Sequence, residues 1–293
     1  MTTVRRQGRV VVETAPAKVN LILQVGPRRE DGLHRICSLF ASVDLADTLR
    51  VETREAAAGD EVRCPGVEGP NLVTAAIDAY RRAVGGALPP LAVEVDKRVP
   101  VAAGLGGGSA DAAAALRAAN RIADGALDTG ALRRLAFELG ADVPSQLDPA
   151  HALVEGAGER VEPLSVPDLA LVLVSTAGEL ATADVYAEAD RLGCPRAELD
   201  PESVRAAAAG DAETVAAALE NDLEPATLSL RPELEGIRLG LLEQGALGAL
   251  VSGSGPTVFG LFREAGGAAR AASAIPGGLV ARLRNRHRLA TSE

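Results

Sequence analysis

Between Pro100 and Asn120 the chain reads PVAAGLGGGSADAAAALRAAN, a glycine-rich bend that runs directly into an alanine-rich segment. Ala is the strongest helix former, and nothing β-branched follows until Ile122. A helix is therefore expected from Ser109, with Ser109 as its N-cap and Asp111 as an acid in its first turn. The first N–H groups of such a helix lack intrahelical acceptors, and the macrodipole makes that end positive. Gly104, Gly106, Gly107 and Gly108 carry no Cβ, so a ligand can approach the backbone closely. These features describe an anion site, most simply for phosphate. It is neither of two familiar phosphate loops. A Walker loop needs a Lys after its last glycine, where Ser109 stands here. A dinucleotide fold needs a second strand ending in an acid, whereas GALRRLAFELG from Gly130 reads as another helix.

Phosphate binding narrows the chemistry to phosphoryl transfer and its relatives, which want a cation and a base beside the phosphate. Lys18, in PAKVNLILQV, is the only charged residue between Glu13 and Arg28 and is the candidate cation. Asp142, in GADVP, is the candidate base. His34, in RREDGLH, can hydrogen-bond a ligand, and SGSGPT from Ser252 to Thr257 can add backbone N–H groups near phosphates. Each has an ordinary structural use as well: an edge-strand lysine, a helix N-cap, a surface histidine, a turn between elements.

The elements that must position these residues follow from pattern and composition. The 293 residues suggest about two domains, and 47% hydrophobic residues suffice for buried cores. Aromatics make up only 2%, so Ala, Leu and Val must fill those cores. A net charge of -10 argues against a nucleic-acid groove or an anionic membrane surface, either of which would be met by a basic face. No run approaches the ~18 apolar residues of a membrane span. Cys37, Cys64 and Cys194 are widely spaced and form no C-x-x-C pair, which reads as reduced thiols of a cytoplasmic protein.

Along the chain, RVVVET, KVNLILQV, SLFASVD and TLRVET read as strands, NLVTAAIDAYRRA as an amphipathic helix, and LAVEVD as a strand entering the glycine loop. ADVPSQL opens a short helix with Asp142 as its N-cap. The strands HALVEG, ERVEPL and PDLALVLVS follow. From about Thr182 the pattern turns helix-rich, through TADVYAEADRL, two Ala-rich helices split by Gly210, and PELEGIRLGLLEQG. ALGALVS and TVFGLF flank the SGSGP turn, and GLVARLR closes the pattern after a last helix. Strands precede clustered helices rather than alternating with them, so the class is α+β.

The blocks PAKVNLILQVGPRREDGLH, PVAAGLGGGSADAAAAL with LGADVP, and VSGSGPTVFG together resemble the three signature regions of the GHMP kinases. NLVTAA, VYAEAD and NDLEPAT stand in the expected order, so the resemblance covers nearly the whole chain. KVNL followed by R-x-D-G-x-H is the most specific block. It is similar to the branch of the superfamily that phosphorylates the 2-hydroxyl of a cytidine-diphosphate-bearing alcohol in the non-mevalonate isoprenoid pathway. The resemblance implies a ribosomal-protein-S5-like N-terminal domain, residues 1–163, and a ferredoxin-like C-terminal domain, residues 164–293, with ATP and substrate meeting in the cleft between them.

It also implies residue roles. Asp142 acts as base and Lys18 holds both reactants. Pro100, Gly104, Leu105, Gly106, Gly107, Gly108 and Ser109 form the ATP phosphate loop, and Asn71 and Lys97 lie near the adenine. Asn20, His34, Tyr186, Ser252 and Gly253 bind substrate, with His34 and Tyr186 at the cytosine. Mg²⁺ accompanies ATP, with Ser109 as a candidate ligand. The implied partner is a small cytidine diphosphate, with neither nucleic acid nor membrane, and the assembly is a monomer or homodimer. Two positions depart from the family pattern. Leu33 replaces an aromatic expected at the cytosine, and polar residues between Ser145 and Asp148, Gln146 among them, replace an apolar run. Other readings of the same blocks are a kinase of mevalonate, homoserine or a sugar, and a ligand-binding relative without activity.

Overall fold

The computed structural model describes residues 8–54, 59–67, 71–86, 88–178 and 180–284. The chain divides into two compact units: Met1–Ala15, Ala46–Arg98 and Gly108–Leu147 form one, and Pro16–Leu45, Val99–Gly107 and Asp148–Glu293 form the other. Two long strands, β1 (Val10–Arg28) and β2 (His34–Thr53), contribute residues to both. The sequence pattern divides each of them in two, because Pro16 and the acids Asp44 and Asp47 read as strand ends. The backbone stays extended through all three, since the fixed φ of proline is compatible with a strand.

The first unit adds β3 (Glu61–Arg63), α1 (Leu72–Ala83), β4 (Leu91–Asp96), α2 (Gly107–Ile122, its first residue belonging to the other unit), α3 (Thr129–Leu139) and α4 (Val143–Gln146). The end of β2 pairs antiparallel with β4, from Thr48 opposite Asp96 to Thr53 opposite Leu91, and β3 adds in parallel. Strict alternation in β4 puts Leu91, Val93 and Val95 inside. They share a core with Ile77 and Tyr80 of α1 and with the alanines of α2. Ten residues of α2 are buried, more than a surface helix's single stripe. Alanine makes this possible, because only a methyl group must be accommodated wherever neighbours approach.

The second unit holds the Arg29–Leu33 turn between β1 and β2, closed by the Arg29 N–H donating to the Leu33 carbonyl at 2.7 Å, with Gly32 at φ +84°. Its further elements are β5 (Ala152–Gly156), β6 (Arg160–Pro163), β7 (Ala170–Val174), α5 (Thr182–Leu192), α6 (Pro201–Ala208), α7 (Ala212–Ala217), β8 (Glu220–Asn221), α8 (Glu224–Leu230), α9 (Glu233–Glu243), β9 (Gly248–Val251), β10 (Val258–Phe262), α10 (Ala265–Ala274) and β11 (Gly278–Arg282). β5 pairs with β2 and β6, while β8 runs parallel to β1 at Ile22 and Leu23. β11, β7, β10 and β9, in that order, form an antiparallel sheet.

The continuous apolar run of β7 is explained by burial on both faces. Leu171 and Leu173 enter one core with Phe259, Leu261, Leu21 and Leu39, and Val172 and Val174 enter another with Leu234, Leu241 and Ala268. β8 and α8 escape the sequence pattern because a two-residue strand and a helix opened by Glu224-Pro225 carry no periodicity of their own.

The packing of α2 generates a test. Ala114 is fully buried, so Ala114→Leu should lose about 1–3 kcal/mol through overpacking. Ala187, exposed on α5, should tolerate the same change within about 0.5 kcal/mol. Urea unfolding of the two variants measures both, and equal losses would mean that the core around α2 has room to spare.

Candidate active site

In the second unit the glycine loop is shaped by backbone approach. Gly104 has φ +75°, and a Cβ there would lie 2.6 Å from the Gly255 carbonyl oxygen and 2.8 Å from that of Ser252. Only glycine fits such a place. The Ser252 hydroxyl donates to the Gly104 carbonyl at 3.2 Å, and the Thr257 N–H donates to that of Ala103 at 3.2 Å. The SGSGP turn is thus docked on the glycine loop. Asn221 of β8 holds the turn from behind, its Nδ2 donating to the carbonyls of Val251 at 2.9 Å and Gly253 at 2.8 Å. Asn221 opens the NDLEPAT block, the one sequence signal for its role.

Lys18 lies along the same loop. Its backbone N–H donates to the Leu105 carbonyl at 2.9 Å, and a Cβ at Gly106, where φ is +68°, would lie 3.0 Å from Lys18 Cγ. Lys18 is 5% exposed, and its Nζ donates to Asn20 Oδ1 at 2.8 Å and sits 4.5 Å from the centre of the Phe40 ring. An added Cβ at Gly253 would lie 3.1 Å from Asn20 Oδ1 and 3.8 Å from Lys18 Nζ. Lys18, Asn20, Gly104, Leu105, Gly106, Ser252 and Gly253 therefore form one constellation. It pairs a nearly buried cation with a backbone loop that its neighbours approach where side chains would otherwise stand.

His34 lies in the same unit and is 8% exposed. Its Nδ1 is 3.0 Å from the Gly26 carbonyl oxygen, which only accepts, so Nδ1 carries a proton; Nε2 is 3.4 Å from Asp190 Oδ2. The Tyr186 ring lies 5.1 Å away at 34°. Tyr186 and Asp190 are four residues apart on α5, so one helix face supplies both. Leu33 is 45% exposed.

The first unit holds the remaining residues. Asn71 caps α1, its Oδ1 accepting from the Thr74 N–H at 2.9 Å. α2 begins at Gly107, two residues before the expected start, so Ser109 is its third residue rather than its N-cap and Asp111 lies past the first turn. The glycines join the helix because its interior packing offsets their backbone entropy. Asp142 stands at the N-cap position of α4, as expected, but makes no cap hydrogen bond. Its backbone is in the αR region, at φ -85° and ψ -17°, and Pro144 removes the N–H of the second helical residue, so a capping geometry is absent. Gln146, four residues on, is 3% exposed, and its Oε1 has no hydrogen-bond partner.

Lys97 is spent on a buried cluster in this unit, donating to Asp47 at 2.6 Å and Asp111 at 2.8 Å. Asp47 also accepts the Arg98 N–H at 2.6 Å. Burial works against the Lys97 ammonium, but the hydrogen bonds to Asp111 and Asp47 outweigh it and raise its pKa. Burial pushes the Asp111 carboxyl up to about 7; Lys97 opposes this, and the second carboxylate at Asp47 adds to it. Burial likewise raises the Cys37 thiol to about 12 and keeps it inert. All three cysteines are free, and among the described residues no group of His, Cys, Asp and Glu is arranged to hold a metal ion and no helix is long and apolar enough to cross a membrane.

A nearly buried lysine against a glycine loop is the layout of a phosphoryl-transfer enzyme, and comparison with known proteins gives its class. The GHMP kinases N terminal domain profile matches residues 71–155, and the GHMP kinases C terminal profile matches residues 203–280. A 4-diphosphocytidyl-2-C-methyl-D-erythritol kinase of Anaeromyxobacter dehalogenans (strain 2CP-C) is 42% identical over 91% of this chain and 85% of its own. One of Pelotomaculum thermopropionicum is 43% identical over 87% and 90%. A crystal structure of 4-(cytidine 5'-diphospho)-2C-methyl-D-erythritol kinase superposes with a TM-score of 0.79 at 36% identity, covering 93% of this chain and 99% of that one. The chain belongs to the GHMP kinases and, within them, to the family of 4-diphosphocytidyl-2-C-methyl-D-erythritol kinases.

The Asp111 cluster generates a pH test. An acid with a folded pKa near 7 and an ordinary value of 3.8 binds its proton more tightly in the folded chain, so stability declines as pH rises from about 4 to about 7. Asp111→Asn removes that term. The wild-type Tm should therefore fall relative to the variant's across this window. Parallel Tm profiles would show that Asp111 is already ionised at the acid end.

Proposed function

We propose that this chain is an ATP-dependent kinase that transfers the γ-phosphoryl group to the 2-hydroxyl of 4-diphosphocytidyl-2-C-methyl-D-erythritol, releasing the 2-phosphate and ADP. The observation that carries the reading is the Lys18–Asn20 pair laid against the glycine loop, in a chain aligned over nearly its full length with kinases of that name. In this reading Lys18 offsets charge on the transferred group, and the backbone N–H groups at the start of α2 take the spreading equatorial charge. Asp142 receives the proton of the attacking hydroxyl. A carboxylate at the start of α4 is chemically suited to this. Asn20, Ser252 and Gly253 hold the substrate near the phosphates, and His34 and Tyr186 take the cytosine.

Asn71 and Lys97 border the adenine side through structural roles of their own, as a helix cap and as the centre of an ion cluster. Mg²⁺ accompanies ATP in the proposal. Oxygen donors suit it, so the half-buried Ser109 hydroxyl in the first turn of α2 would be a fitting protein ligand. When bound, the metal neutralises phosphate charge. We assign residues 1–163 and 164–293 as the two domains of the family and place the enzyme in the cytoplasm.

Turnover with ATP and a panel of alcohols tests the reading: phosphorylation should require the cytidine-bearing acceptor. A preference for mevalonate, homoserine or a free sugar would overturn it. Asp142→Asn should lower kcat by ~10²-fold or more with KM for ATP nearly unchanged. Retention of a third of the activity would remove Asp142 from the mechanism. Because Leu33 provides no ring, Tyr186 alone supplies the aromatic face, worth ~1–3 kcal/mol for a base. Tyr186→Ala should therefore raise KM for the cytidine substrate at least about fivefold, again sparing ATP. Equal rises in both KM values would assign Tyr186 to packing.

A further inference from the structure

Lys18 and Asn20 are two residues apart in β1, and Ser38 and Phe40 are two apart in β2. In extended strands each pair lines one face. Lys18 Nζ meets Asn20 Oδ1 and the Phe40 ring, and Asn20 Nδ2 meets Ser38 Oγ at 2.9 Å. Ser38 Oγ in turn lies 2.5 Å from the Ile22 carbonyl oxygen. Ser38 is fully buried and Asn20 is 2% exposed.

The polarity of this chain of hydrogen bonds has a single solution. The Ile22 carbonyl can only accept, so the Ser38 hydroxyl must spend its one proton there. Ser38 Oγ is then left as an acceptor, and the Asn20 group facing it must be the NH₂. The Asn20 carbonyl oxygen is thereby turned toward Lys18, whose ammonium can only donate. A flipped amide would set two donors against each other at Lys18 and two acceptors, without a proton between them, at Ser38. In a site this dry each mismatch carries the full penalty of a buried unpaired polar group.

We propose that Ser38 is a positioning residue for phosphoryl transfer: its hydroxyl fixes which end of the Asn20 amide faces Lys18, and so fixes where the Lys18 ammonium is held. The role is one of orientation. Ser38 contributes no charge. Without its hydroxyl the Asn20 amide loses its reference and samples both orientations. In one of these the NH₂ faces the ammonium and displaces it. The kinetic consequence rests on the phosphoryl-transfer reading above, whereas the orientation of the amide does not.

The experiment has two arms on the full chain. In the kinetic arm Ser38→Ala should lower kcat roughly tenfold, the size of effect that a small misplacement of a reacting group produces. KM for ATP should stay within about twofold, and Ser38→Thr, which keeps the hydroxyl, should restore most of the rate. In the second arm, NMR of the ligand-free protein follows the Asn20 side-chain NH₂, assigned by its loss in Asn20→Ala. Its exchange with solvent should be slow in wild type and Ser38→Thr and faster by ~10-fold or more in Ser38→Ala.

A Ser38→Ala variant with wild-type kcat overturns the proposal, as does unchanged exchange at Asn20. If Ser38→Thr packs poorly and its Tm falls, the exchange rate in Ser38→Ala decides alone. An inactive wild type would overturn the substrate reading instead, and the amide measurement would still decide whether Ser38 orients Asn20.

Discussion

A lysine ammonium held almost out of water must be given partners, because the unpaired charge would cost several kcal/mol, and much of the second unit is arranged around that need at Lys18. Lys18 receives an amide oxygen and an aromatic face, neither of which carries a formal negative charge. These two contacts stabilise the cation without themselves adding a negative charge. Lys97 shows the contrast. Two aspartates hold it, and its charge is consumed by structure.

The same requirement dictates the glycines. Lys18 lies tightly along the loop where Gly106 has no Cβ, and the SGSGP turn can dock only because Gly104 has none. These are steric conditions on backbone approach, and their electrical consequence follows directly. A loop that lets other backbone and a lysine stem come so close also lets phosphate oxygens reach its N–H groups. Positive φ at Gly104 and Gly106 adds a second reason for the residue type, since an L side chain would be strained there even with space to fill.

Holding such a loop in place demands rigid neighbours, and the chain provides them with very few aromatics. Alanine serves in α2, where small side chains allow close approach on several sides. Alternating leucine and valine serve in β7, where both faces of the sheet are covered. The buried Lys97 cluster adds electrostatic constraint at the other end of the loop's sequence, tying the residues just after β4 to Asp111 in α2 and to Asp47 in β2. Burial is what pushes the Asp111 carboxyl up to about 7, with the neighbouring Asp47 carboxylate adding to it and Lys97 opposing it.

The sequence by itself determined the glycine loop and the helix behind it, the α+β class, nearly every strand and helix, and the family, because each is written in local propensity, periodicity or a contiguous motif. It also marked Lys18, Asn20, His34 and Asp142 as chemistry-bearing residues. Only the tertiary structure decided what those side chains spend themselves on. Asp142 occupies a cap position without capping, Ser109 falls inside the helix, and Lys97 is absorbed by two aspartates. Only it, too, showed that Ser38 accepts a hydrogen bond from Asn20 and that Asn221 holds the SGSGP turn. The physical reason is range. Whether a residue favours helix or strand depends on its near neighbours in the chain, whereas its hydrogen-bond partner depends on the register between distant strands. That register is set by the summed burial of many apolar residues, of which no single stretch holds a record.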